Sequence, residues 1–240
     1  MGLLLALQFL TRIPVPLRRE APAESWARSV AWFPAVGLLV GLLLAGAQWT
    51  LAHICPPDLV AALVLALWVI LTGALHLDGY VDSCDALVVA LPPERRLEIL
   101  KDVHVGAYGL VGAILLLLVK WLAIGHLPWQ GLILAPVLGR WAMVYAMAAF
   151  PYARPSGLGR IFKDALGRRE LLIASASALV LTLLLGAWRG LALAGAGWLA
   201  AWVLARWAAH QLGGGITGDI YGAVCEVVEV IVLLAGGLLW

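Results

Sequence analysis

The stretch LHLDGYVDSCDAL, residues 75–87, carries Asp78, Asp82 and Asp85 at spacing i, i+4, i+7. On an α-helix turning about 100° per residue, those three carboxylates point within about 60° of one another. Carboxylates crowded in this way repel unless they protonate or a cation neutralises them. Hard divalent cations such as Mg²⁺ take oxygen ligands and usually keep waters and substrate phosphates in their remaining positions. Gly79 would let backbone come close to a ligand, and His76 stands just ahead of the stripe. A solvated helix end bearing acids for solubility explains three acids on one stripe less well. Asp78, Asp82 and Asp85 are therefore the expected metal ligands.

A second acidic set lies in GGGITGDIYGAVCEVVEV, residues 213–230, where Asp219, Glu226 and Glu229 share one helix face. Glu226 and Glu229 interrupt an apolar run, and intramembrane carboxylates are costly enough to point to function. Gly213, Gly214, Gly215 and Gly218 precede them, so that backbone amides at a helix N-terminus could meet a phosphate. Glycine-rich turns are also ordinary hairpin material. Between the two sets, PPERRLEILKDVHVGAYG (92–109) starts a short helix at Pro92 and Pro93. Leu97, Leu100 and Val103 give it a stripe to lie on the membrane, with Arg95, Arg96, Lys101 and Asp102 on its polar side. Arg95 and Arg96 suit phosphate oxygens and suit anionic lipid equally well. Arg154 and Arg160, around Pro-Ser-Gly-Leu-Gly, are either phosphate clamps or charged anchors. Arg140 falls inside an apolar run and should pair with an inward carboxylate.

The elements that must position these groups are transmembrane helices. Of 240 residues, 63% are hydrophobic and only 12% charged, against about half and a quarter in a soluble domain. Windows of roughly 20 apolar residues, enough to cross about 30 Å of hydrocarbon, fall near 29–50, 59–75, 106–123, 129–150, 171–187, 191–209 and 219–240. The expected fold is a single all-α polytopic membrane domain over 1–240 with about seven crossings. Residues 2–10 are too short to span. With Arg12, Arg18 and Arg19 behind them, they suit an interfacial or re-entrant segment rather than a secretory signal.

Alternating the spans places every lysine and arginine on one side except Lys120, Arg189 and the mid-span Arg140. The positive-inside rule makes that side cytoplasmic, and both acidic sets open onto it. A transporter would need polar groups near the midplane and access from both sides, so the charge map points to a one-sided enzyme site. A net charge of +2 gives no reason to expect nucleic acid, and Cys55, Cys84 and Cys225 show neither disulfide nor zinc spacing. Acidic helices beside arginines suit metal-assisted phosphoryl transfer.

The chain resembles the cobalamin synthase, or adenosylcobinamide-GDP ribazoletransferase, family. The resemblance rests on LQFLTRIPVP (7–16), WFPAVGLLVG (32–41), LTGALHLDGYVDSCDAL (71–87), RRLEILKDVHVGAYG (95–109), RWAMVYAM (140–147), PYARPSGLG (151–159) and GGITGDIYGAVCEVVE (214–229). Val103 and Ser156 depart from its pattern. CDP-alcohol phosphatidyltransferases are the nearer rival, but Asp82 and Ser83 stand where they carry Ala-Arg; a cation-coupled transporter is the rival from another class.

The resemblance implies that adenosylcobinamide-GDP and α-ribazole, or its 5′-phosphate, are joined with release of GMP in an Mg²⁺-dependent step at the inner membrane. It leaves room for a homo-oligomer or for association with other cobamide-assembly enzymes. On that reading Asp78, Asp82 and Asp85 hold Mg²⁺. Asp219, Glu226 or Glu229 holds a second metal or takes the ribose proton. Arg95, Arg96, Arg140 and Arg154 meet phosphate, supported by Lys101, Asp102 and Gly218. His76 acts as a base or orients an aspartate, although a continuous helix would turn it away from the acidic stripe.

Overall fold

The computed structural model describes residues 1–16 and 23–240; Arg18 and Arg19, which enter the charge map, lie outside the described residues. The elements in order are α1 (Gly2–Leu10), α2 (Ala23–Ser29), a 3-10 turn (Val30–Trp32), α3 (Phe33–Leu51), α4 (Pro57–Thr72), α5 (Leu75–Leu87), α6 (Pro93–Ile99), α7 (Ala107–Gly125), α8 (Trp129–Ala149), α9 (Leu158–Ala165), α10 (Arg168–Gln211) and α11 (Gly218–Leu239). The described residues form an all-α bundle, and the only β pairing among them is a single bridge between Tyr152 and Ile216.

Five of these helices are long and apolar enough to cross a membrane, and α4 makes a sixth only if it is joined to α5 across a 91° bend. Straight, the 44 residues of α10 would reach about 66 Å, twice the apolar thickness. The helix instead breaks at Ala187, whose φ is 45°, and doubles back. Gly190 packs on the backbone of Thr182. Ser175 and Trp198, from opposite limbs, meet Trp141 and Tyr145, one turn apart on α8. Counting its limbs (168–186 and 188–211) separately gives six long apolar stretches against the seven or so expected; α4, with 16 residues, is too short to pass by itself.

α8 is the central post. Most of its side chains are buried, enclosed by α3, α10 and α11. Gly41 of α3 comes so near that a Cβ there would stand 2.6 Å from Ile133 Cα, in keeping with the small-residue contacts of membrane helices.

The bend between α4 and α5 sets where the acidic stripe of α5 stands. Gly73 and Ala74 both take left-handed conformations, with φ of 60° and 57°, a region that only glycine visits without cost. The turn is held from outside: Arg12 donates its backbone N–H to Leu71 O at 2.7 Å. α5 therefore leaves the line of α4 and packs against α11 on one side and α7 on the other. There Gly79 brings the helices so close that a Cβ would lie 2.7 Å from Asp219 O, and Gly222 plays the same part opposite His76.

Candidate active site

The site is built from three loops and two helix ends. The 151–154 segment pairs with the glycine-rich loop through Ala153 N–H to Ile216 O and Ile216 N–H to Pro151 O, both 2.9 Å. Gly213 and Gly214 permit that loop's turn with φ of 82° and 111°. This pairing sets Arg154 over the first turn of α11, where its Nη2 lies 2.9 Å from Asp219 Oδ2 and 2.9 Å from Leu100 O. Thr217, the residue before α11, adds a 3.0 Å hydrogen bond to the same carboxylate oxygen.

Asp78, Asp82 and Asp219 converge here, from two helices far apart in sequence. Burial, followed by the negative charges of Asp78, Asp219 and Asp85, pushes the Asp82 carboxyl up to about 7 against the opposing pull of Arg154. Such a cluster is poised for a cation or a proton. Among the described residues no group of three or more His, Cys, Asp or Glu side chains is already arranged around a metal position. A bound ion would therefore need to draw part of its shell from water and substrate, as Mg²⁺ commonly does.

Several expected site residues do other work. Asp85 accepts the N–H groups of Gly106 and Gly109 at 2.8 Å each, so both of its oxygens cap the start of the neighbouring α7. Arg96 is buried, and its guanidinium donates to Leu91 O (2.8 Å), Ala86 O (2.9 Å) and Leu87 O (2.7 Å). It closes the C-terminal end of α5 and is not a phosphate ligand. Arg95 points outward to Glu98 at 2.6 Å. Asp102 binds His104 through its ring and backbone, and Lys101 is exposed in the same loop. Val103, expected on the membrane-facing stripe, is exposed beside them, whereas Leu100 is buried.

The larger correction concerns Glu226, Glu229 and Arg140. All three are buried, on the inward faces of α11 and α8, the two glutamates about 10–15 Å along α11 from Asp219 by helix rise. Lys120 of α7 joins them, its Nζ 2.5 Å from both Glu226 Oε2 and Glu229 Oε2. Arg140 Nη1 binds Glu229 Oε1. Arg140 thus pairs with an inward carboxylate as expected. Glu226 and Glu229 are neither metal ligands nor bases at the surface, and Arg140 reaches no surface phosphate. Two cations and two carboxylates form a balanced buried network tying α7, α8 and α11 together. The missed residue is Lys120: it lies inside an apolar helix rather than on the far side of the membrane, and its place in that run was the available signal.

His76 is also buried, and its Nε2 has no partner among the described residues. It lines a cavity of about 170 Å³ together with Asp78, Gly218, Asp219 and Tyr221.

The model of the cobalamin-5-phosphate synthase family matches residues 2–237. This chain belongs to that family. A protein of Deinococcus radiodurans named adenosylcobinamide-GDP ribazoletransferase is 44% identical over 95% of this chain and 82% of its own length. Proteins of the same name from Ectopseudomonas mendocina and Desulfitobacterium hafniense are 45% and 40% identical, each over 96% of this chain and 96% and 94% of their own lengths. No solved structure matches the chain. In this chain the α5–α11 junction, with two acidic helices, one arginine and a side cavity, is the candidate active site.

Proposed function

We propose that this protein is an adenosylcobinamide-GDP ribazoletransferase working at the cytoplasmic face of the inner membrane. The observation that carries the reading is the convergence of Asp78, Asp82 and Asp219 beside Arg154 at the positively charged end of the bundle. In this reaction a ribose hydroxyl of α-ribazole 5′-phosphate attacks the phosphorus that bears the cobinamide. The new P–O bond replaces the one to GMP, which leaves.

Asp78 and Asp82 would hold Mg²⁺, because their crowding leaves an anionic excess that only Arg154 offsets. Bound there, Mg²⁺ would neutralise charge on the diphosphate as GMP departs. Arg154, steadied by Leu100 O and Asp219, presents its guanidinium to a phosphate oxygen. Asp219, oriented by Thr217 and Arg154, accepts the ribose proton. The Lys120–Glu226–Glu229–Arg140 network fixes the helices beneath.

The test is GMP release by detergent-purified protein given adenosylcobinamide-GDP, α-ribazole 5′-phosphate and Mg²⁺, beside an Asp82→Asn variant. Magnesium-dependent release that falls at least about a hundredfold in the variant supports the assignment. Full activity in Asp82→Asn refutes the site, and no release with either form of the acceptor refutes the reaction.

A further inference from the structure

The cavity beside the acids belongs to the same face but has a different chemistry from the phosphate side. Its mouth carries Asp78 and Asp219; its walls are Met143, Met147, Phe9 and Phe162. Phe9 and Phe162 sit 4.7 Å apart at a tilt, giving it an aromatic side, and the methionine thioethers pack favourably around rings. Two polar residues, Tyr221 and His76, also line it. Tyr221 and His76 are each only 2% exposed, and neither the Tyr221 hydroxyl nor His76 Nε2 has a partner among the described residues. Buried polar atoms normally find one, so two left over at one cavity point to a partner supplied from outside the chain.

The size restricts that partner. Pockets that enclose a drug-sized molecule hold about 300–1,000 Å³, so about 170 Å³ admits a ring system and not a corrin. The charge restricts it further. No lysine or arginine lines the cavity among the described residues, and the two aspartates at its mouth would repel a diphosphate entering it.

Resting on the reaction proposed above, we infer that this cavity seats the benzimidazole ring of the acceptor nucleoside, with the Tyr221 hydroxyl donating to its free ring nitrogen. The ring slides between the methionines and Phe162, and the attached ribose emerges at Asp219, the group that takes its proton. Donor and acceptor then approach the acids from two sides. The diphosphate arrives along Arg154 and Asp82, the ribose from the cavity.

The experiment measures KM for each substrate separately in the parent, Tyr221→Phe and Leu158→Trp. The first variant deletes one oxygen from a ring that stays in place; the second adds bulk at an exposed residue on the cavity rim. Tyr221→Phe should raise the KM for α-ribazole 5′-phosphate about three- to tenfold, and Leu158→Trp by more, with the KM for adenosylcobinamide-GDP unchanged in both. Equal shifts in both KM values, or a fall in kcat alone, overturn the assignment, as does an unchanged acceptor KM in both variants, the result expected if a lipid chain fills the cavity. A parent that releases no GMP defeats the proposed reaction, and calorimetric titration with α-ribazole then decides the cavity separately. Weaker binding to both variants than to the parent supports it, and equal binding overturns it.

Discussion

Replacing Lys120 with methionine keeps the length and apolar stem of the side chain and removes only its charge. In the structure that charge lies 2.5 Å from one oxygen of Glu226 and 2.5 Å from one of Glu229, with all three groups buried. Afterwards two carboxylates face the single guanidinium of Arg140, and Glu226 loses the only ion-pair partner it has among the described residues. Removing one partner of a buried pair costs about 3–5 kcal/mol, because the charge left behind stays desolvated. For a chain of this size each kcal/mol moves the midpoint by about 2–4 °C, so the melting temperature should fall by about 6–20 °C.

Thermal unfolding of the detergent-purified protein, followed by tryptophan fluorescence, reads this directly. Lys120→Met with Glu226→Gln restores charge balance and should recover most of the loss. A Lys120→Met protein melting within about 2 °C of the parent would refute the network. A double variant no more stable than the single one would show that packing, not charge, explains the effect.

Three other outcomes are expected. Because Asp82 is pushed up to about 7, Mg²⁺ must displace a proton below that pH and meets a free carboxylate above it. The Kd for Mg²⁺ should rise about tenfold per unit as pH falls below 7 and level off above; a Kd flat from pH 5.5 to 7 would contradict the cluster. Arg96→Met strips three carbonyls of their donor and should cost about 2–4 kcal/mol, whereas Arg95→Ala should leave the melting temperature unchanged; similar losses in both would argue against the separation of their roles. Gly79→Leu should force α5 away from Asp219 and lower GMP release at least about tenfold with the protein still folded, an idea that unaltered kcat and KM would sink.

Much of the architecture was legible from composition. Apolar runs of bilayer length must become helices, since lipid offers no partner to an open backbone. Periodicity likewise placed Asp78 and Asp82 on one face of α5, because side chains three and four apart on a helix are neighbours whatever surrounds them. The pairing of Arg140 followed from cost alone. Sequence could not tell which acids stay at the surface. Glu226 lies only seven residues beyond Asp219, yet two turns of helix carry it into the bundle, where the register of α7 delivers Lys120. Asp85 belongs to the same stripe as Asp82, but the approach of α7 turns it into a cap. Arg95 and Arg96 are neighbours in the chain; the fold of α6 onto α5 buries one and leaves the other in water. Local rules decide which way a side chain leaves its own helix. Which partner it meets depends on a second helix whose position is set by close contacts at Gly41, Gly79 and Gly222 and by the turn at Gly73. Those contacts join residues far apart in the chain, so no single stretch of sequence contains them.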